Sequence, residues 1–222
     1  MFNKFLLPTV LATIIFFSVA CNGYSAQKMG DSKSLADTTH YGKLDTAYFA
    51  SGCFWCVEAV YERVKGVKEA VSGYSGGNTV NPTYEEVGSK TTGHAEAVMV
   101  FYDPKMVSYA TLLNVYFASQ DPTQVNGQGP DRGSPYRSII FYRNESEQKA
   151  AEAAKKALGD SGKYTAPIAA EILPFKAFYN AEDYHQNYER MHPDNPYVQH
   201  VSIPRLRKFE AQLPDLLKKG DH

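Results

Sequence analysis

The chain has 222 residues and a formal net charge of −1, with 23 Lys and Arg against 24 Asp and Glu. That balance offers no strong field for a nucleic-acid backbone. The length suits about one domain with a real hydrophobic core. Tyr (16) and Phe (12) outnumber the single Trp, but such rings commonly build cores, so their number alone does not locate a site.

Residues 1–21 read as a targeting segment. Lys4 supplies a positive start, and Phe5 to Val19 is an apolar run too short for a membrane span of about 20 residues. Ser18-Val19-Ala20 then precedes Cys21. Two readings stay open: a signal peptide cut after a small residue, or a bacterial lipoprotein leader whose Cys21 is lipidated and becomes the mature N-terminus. Ser18 stands where lipoprotein leaders usually carry Leu. Either reading places the protein in the bacterial cell envelope, where disulfides are permitted. Residues 22–43, polar and scattered with Gly, Ser, Asp and Lys, read as a flexible linker. One folded domain is expected over 44–213, with a polar tail at 214–222.

Asp45 to Ala50 is an apolar strand and Ser51-Gly52 a turn. Val57, Val60, Tyr61 and Val64 then recur at helical spacing, and Gly66 is placed to end that helix. Cys53 therefore sits where a strand turns into a helix. Free backbone N–H groups and the helix dipole favour a thiolate there. Cys56 follows three residues later, near enough for a disulfide. A Cys-x-x-Cys pair can also be half of a zinc site, but zinc needs about four ligands and no second cysteine pair exists. Redox chemistry is the expected use, and no metal or organic cofactor is implied.

Val67 to Ser72 is a second strand, and a Gly-rich loop runs on to Asn81-Pro82. Thr83 to Val87 is a short helical turn. Glu96 to Tyr102 is an apolar strand that reads as buried on both faces. Ser108 caps a helix to Ala118. Gln120 to Pro135 is a long Gly- and Pro-bearing loop, of the kind that carries function. Arg137 to Tyr142 is a strand. Asn144 starts an Ala-rich helix to Leu158, with Glu147 placed as in a capping box. Ile168 to Leu173 is a further strand. An aromatic-rich segment reads as helical over Glu182 to Met191, and Pro204 opens a last helix to Leu213. Strands and helices mix without strict alternation, so the expected class is α+β, one domain with helices packed on a mixed sheet.

Gly52-Cys53-Phe54-Trp55 resembles the active-site motif of the type A peptide-methionine sulfoxide reductases. Further stretches match that family in order: Gly73-Tyr74-Ser75-Gly76-Gly77, Asn81-Pro82-Thr83-Tyr84, Thr92 to Val98, Asp121-Pro122, Tyr136-Arg137-Ser138 and Ala181 to Gln186. The resemblance spans roughly Thr46 to Tyr188. It implies a ferredoxin-like α/β roll and reduction of the S epimer of methionine sulfoxide, in oxidised proteins or free. Cys53 matches the nucleophile, and Phe54 and Trp55 match the aromatic pair that holds the substrate methyl. Tyr84, Glu96 and Tyr136 match the groups that bind the sulfoxide oxygen, and Asp131 matches an aspartate of the same site. The implied reductant is thioredoxin-like. No partner beyond these is expected, and membrane contact only through a lipid on Cys21. His94 and His185 are left as structural.

The physics of each role agrees. A carboxylic acid among aromatic rings is held protonated by desolvation and can serve as general acid. Tyrosine hydroxyls bind a sulfoxide oxygen without carrying charge. Relatives often carry resolving cysteines near the C-terminus, whereas Pro196 to His200 here has none. Cys56 stands where the family often has Gly, so it is the expected resolving thiol. The alternative is a thiol–disulfide oxidoreductase of the cell envelope. That family expects Trp before the first cysteine, and here Trp55 lies between the two.

Overall fold

The computed structural model describes residues 43–219. The expected leader with Cys21, the linker up to residue 42 and the last three residues of the tail lie outside the described residues. A six-stranded sheet runs in the order β7-β6-β1-β3-β2-β8. Its strands are β1 (Asp45–Ser51), β2 (Val67–Ser75), β3 (Ala95–Tyr102), β6 (Ser138–Tyr142), β7 (Glu171–Pro174) and β8 (Phe178–Asn180). Every pairing is antiparallel except β6 with β7. The sheet is mixed and the fold is α+β, as expected. A two-stranded hairpin of β4 (Gly127–Gln128) and β5 (Asp131–Arg132) stands apart. It lies inside the stretch read as a structureless loop.

All eight residues of β3 are buried. The two-residue period of a strand sorts them onto two faces. Val98, Val100 and Tyr102 join the main core with Phe49, Val57, Val60 and Tyr61. Ala95, Ala97, Met99 and Phe101 join a second cluster with Tyr48, Ile139, Phe141 and Phe178. Glu96 shares the parity of Val98 and so belongs to the main-core face.

The helices are α1 (Phe54–Glu62), α2 (Tyr84–Gly88), α3 (Tyr109–Ala118), α4 (Glu145–Asp160), α5 (Tyr188–Met191) and α6 (Ile203–Gln212). Their starts follow the sequence. Thr83 and Glu86 close a full capping box on α2, and Ser108 accepts from Thr111 N–H on α3. On α4 the Asn144 side chain accepts from Glu147 N–H at 3.0 Å. The Glu147 carboxylate does not close the expected box. It takes Arg143 N–H at 2.8 Å and the Arg143 guanidinium instead, because that cation is the stronger partner.

The aromatic segment departs most from the reading of one helix. Asp183–His185 is a single tight turn, Asn187 is left-handed (φ 54°), and only Tyr188–Met191 is α-helical. The chain beyond Gln212 stays packed: Lys65 N–H donates to Leu216 O at 2.8 Å, and Lys218 N–H to Arg63 O at 2.8 Å.

Gly52 joins β1 to α1 with φ +82°, and a Cβ there would lie 2.5 Å from Gln128 Cβ. Both facts demand glycine. Gly52→Ala is expected to lower unfolding free energy by about 2 kcal/mol or more, from left-handed strain plus that overlap. Urea denaturation measures it.

Candidate active site

β1 delivers Cys53 to the N-cap of α1 with non-helical φ −52° and ψ 124°. Cys53 is 6% exposed and Cys56 2%, and both are free thiols. Among the described residues no group of three His, Cys, Asp or Glu side chains is placed to hold a metal ion.

Glu96 reaches the same helix start from β3. Its carboxyl is 3% exposed, and Oε2 accepts from Phe54 N–H at 3.0 Å. Burial pushes its pKa up to about 8, with the charges of Asp131 and Cys56 acting in the same direction. The carboxyl is therefore largely protonated at neutral pH despite the N–H it accepts.

Tyr84 and Tyr136 lie near enough to that carboxyl to feel its charge. Tyr84 is fixed at the start of α2, where its backbone N–H donates to Glu182 Oε1 at 2.9 Å. Tyr136 ends the tight turn Ser134–Tyr136 ahead of β6. Each ring acts on the other. Burial and the nearby Glu96 charge raise both, Tyr84 to about 12, so both remain neutral donors. The β4–β5 hairpin supplies Asp131, which accepts from Tyr197 Oη at 2.6 Å. Burial raises its pKa as well.

Phe54 and Trp55 form the aromatic wall, with ring centroids 6.3 Å apart. Trp55 is clamped from three sides. Tyr188 stacks on it at 3.7 Å and 7°, Tyr197 meets it edge-on at 6.0 Å, and Trp55 Nε1–H donates to His185 Nδ1 at 3.1 Å. The His185 ring also lies 4.5 Å from that of Tyr84. Burial lowers the His185 pKa, and the neutral ring it favours is what allows Nδ1 to accept. His185, left as structural on sequence, holds the wall in place.

The thiol pair differs from the sequence expectation in one respect. Burial, followed by a hydrogen bond with Cys56, pushes the Cys53 pKa well up. The hydrogen bond from Cys53 brings Cys56 down to about 6 against its own burial, helped by Arg205, Ser202 and Tyr197. The resting charge therefore lies on Cys56 and the proton on Cys53. Burial is the leading cause for Cys53, and the first N–H of α1 is taken by Glu96.

Every site residue named from the sequence converges here except Cys21, which lies outside the described residues. Sequence reasoning missed Tyr188, Tyr197, Ser202 and Arg205. Their only signal was the aromatic density before α6.

Two buried thiols, a protonated carboxyl, two tyrosine hydroxyls and an aromatic wall on an α+β sheet define a thiol-dependent oxidoreductase. The family model for peptide methionine sulfoxide reductase matches residues 45–216. The peptide methionine sulfoxide reductase MsrA of Picrophilus torridus is 48% identical over 168 residues, 76% of this chain and 94% of that protein. Among solved structures, reduced Mxr1 from Saccharomyces cerevisiae is similar with a TM-score of 0.64 and 32% identity, covering 69% of this chain and 88% of that one. Methionine sulfoxide reductase A of Corynebacterium diphtheriae gives a TM-score of 0.62 and 33% identity, covering 69% and 77%. The chain belongs to the type A peptide methionine sulfoxide reductase family. It is an enzyme, a peptide-methionine (S)-S-oxide reductase.

The Glu96 pKa has a consequence for stability. Raised above its unfolded value, it adds no penalty below about pH 4.5, where both states hold the proton. As pH rises towards 8 the unfolded chain ionises first, so the folded state loses ground, and the loss is complete above about 8. Glu96→Gln is expected to remove this decline, on the order of a few kcal/mol between pH 4.5 and 8. Denaturation curves of the two proteins across that range measure it.

Proposed function

We propose that Cys53 is the nucleophile of this reductase and that Cys56 resolves its oxidised form. The observation that carries the reading is a protonated Glu96 carboxyl tied to the first residue after Cys53 through Phe54 N–H at 3.0 Å. An acid placed there meets an oxygen on the sulfur that Cys53 attacks. Phe54 and Trp55 offer an apolar wall for the substrate methyl, and Tyr84 and Tyr136 offer uncharged hydroxyls to the oxygen. Asp131 holds Tyr197 at the edge of the site.

The step balances as follows. Cys53 sulfur attacks the sulfoxide sulfur, and Glu96 gives its proton to the oxygen. The S–O bond of the substrate breaks and the oxygen passes to Cys53 as a sulfenic acid. Methionine gains two electrons and Cys53 loses two. Cys56 then attacks the sulfenic sulfur, water leaves, and a Cys53–Cys56 disulfide forms. A dithiol reductant, thioredoxin-like by the family resemblance, restores both thiols by exchange. Oxidised proteins or free methionine sulfoxide are the substrates, which makes the role repair of oxidative damage. Residues 1–21 support export to the cell envelope, with Cys21 as a lipid anchor. Fatty-acid labelling of cells is expected to mark the unmodified chain and to be lost in Cys21→Ser.

With dithiothreitol as reductant, the full chain is expected to turn over the S epimer of methionine sulfoxide and not the R epimer. Cys53→Ser abolishes this. Cys56→Ser releases about one methionine per enzyme and then stalls. Glu96→Gln slows methionine release by about a hundredfold or more, the general-acid contribution, and release in the unmodified enzyme falls as pH rises through about 8. Undiminished turnover by Cys56→Ser removes the resolving role. Insulin reduction in place of sulfoxide reduction returns the site to the thiol–disulfide oxidoreductase reading.

A further inference from the structure

The C-terminal segment covers Cys56 with one irregular turn. Residues Val198–Ser202 form a π turn that runs directly into α6. Such turns are rare and cluster at functional sites. This one seats Ser202, 1% exposed, so that its hydroxyl donates to Cys56 Sγ at 2.9 Å. Arg205, one turn further on, is held by Ser119 O at 2.7 Å and Ser51 Oγ at 3.1 Å, with its positive charge towards the same sulfur. Tyr197 Oη stands 3.9 Å from Cys56 Sγ. Three C-terminal groups thus lie around the Cys56 sulfur, which also interacts with the Cys53 thiol.

We propose that Ser202 is a positioning residue that holds Cys56 Sγ as the hydrogen-bond acceptor facing Cys53, making Cys56 the base that takes the Cys53 proton as that sulfur attacks. Cys56 so acts before it resolves. The proton account closes. Cys53 enters as a thiol and Cys56 as a thiolate. On attack the Cys53 proton moves to Cys56 while the Glu96 proton moves to the sulfoxide oxygen, leaving a sulfenic acid, a Cys56 thiol and a Glu96 carboxylate. Condensation of that thiol with the sulfenic acid forms the S–S bond and releases water. Reduction by an external dithiol returns the Cys53 thiol and the Cys56 thiolate, and its spare proton restores Glu96.

The charged and titrating groups that face Cys56 are Cys53 on its own helix, Glu96 from β3, Tyr197, Glu189 from α5 and Arg205 from α6. Glu189 is raised to about 7 by burial, with Ser202 acting in the opposite direction, and the Ser202 hydroxyl donates to Cys56 Sγ. Ser202 thus connects the C-terminal segment to the thiol pair.

The inference rests on Cys53 as nucleophile, not on the resolving step. The test is single-turnover methionine release from the S epimer without reductant, in the full chain carrying Cys21→Ser, measured against pH. The unmodified site is expected to show a rising limb with its midpoint near 6, belonging to the thiol pair, and a falling limb near 8 from Glu96. Ser202→Ala is expected to move the rising limb up by about one unit, the worth of a hydrogen bond to a charged group. It is then about tenfold slower below that limb, and the falling limb stays put. Ser202→Thr, which keeps the hydroxyl, is expected to return the midpoint. Ser202→Gly lacks the hydroxyl too and reads the same limb if the alanine variant does not fold. A rising limb that stays near 6 without the hydroxyl overturns the inference. No methionine release from the unmodified protein at any pH overturns instead the reading of Cys53 as nucleophile.

Discussion

The site depends on one hydrogen bond, Phe54 N–H to the buried Glu96 carboxyl. A helix start has N–H groups without partners, and a strand interior has no place for an ionised acid. Joining the two satisfies the N–H and keeps Glu96 in a dry position beside the residue that follows Cys53. The sheet order makes the meeting possible. β3 lies directly between β1, which leads through Gly52 to Cys53, and β2, whose Tyr74 pairs with Glu96 in register. The buried thiol pair lies beside the same helix start: burial raises Cys53, and its interaction with Cys56 lowers Cys56.

A second buried acid organises the aromatic side. Glu58, on α1, accepts from Ser72 Oγ and from Asn187 N–H, and burial pushes it up to about 7. That bond holds Asn187 in its left-handed conformation, which turns the chain and lays Tyr188 flat on Trp55. Gln186 adds a pair of bonds to the Ser72 backbone at 3.0 Å each. The wall around Trp55 is therefore built by α1 and β2 from behind, and the segment 182–191 gives up helix to reach it.

This explains what the sequence could and could not show. The β1–Cys53 junction, β3, and the starts of α2, α3 and α6 were legible because their signals are local: alternation, caps and a first-turn proline. β8 was not. It is three residues long, and its place depends on Gly73, where a Cβ would lie 2.3 Å from Tyr179 O. The break at Asn187 was hidden for the same reason, since its cause, Glu58, lies 129 positions away. At the site, Cys53, Phe54, Trp55, Glu96, Tyr84 and Tyr136 were named on family motifs, and geometry brings them together. Tyr197, Ser202 and Arg205 follow the motifs, in a stretch where only the fold reveals that the chain returns to Cys56.

That return matters because of where the second thiol stands. A resolving cysteine on a distant tail must be carried to the sulfenic acid by movement of that tail. Cys56 is on the helix that Cys53 caps, so under the proposed resolving role closure of the bond needs adjustment within one helical turn. In that arrangement the C-terminal segment has no thiol to deliver and stays packed. Its residues do pack: Ser202 and Tyr197 close over Cys56, and Arg205 ties α6 to the ends of β1 and α3. With both sulfurs at one helix start, the tail lies as a packed cover over the second of them, with Ser202 as its donor to that sulfur.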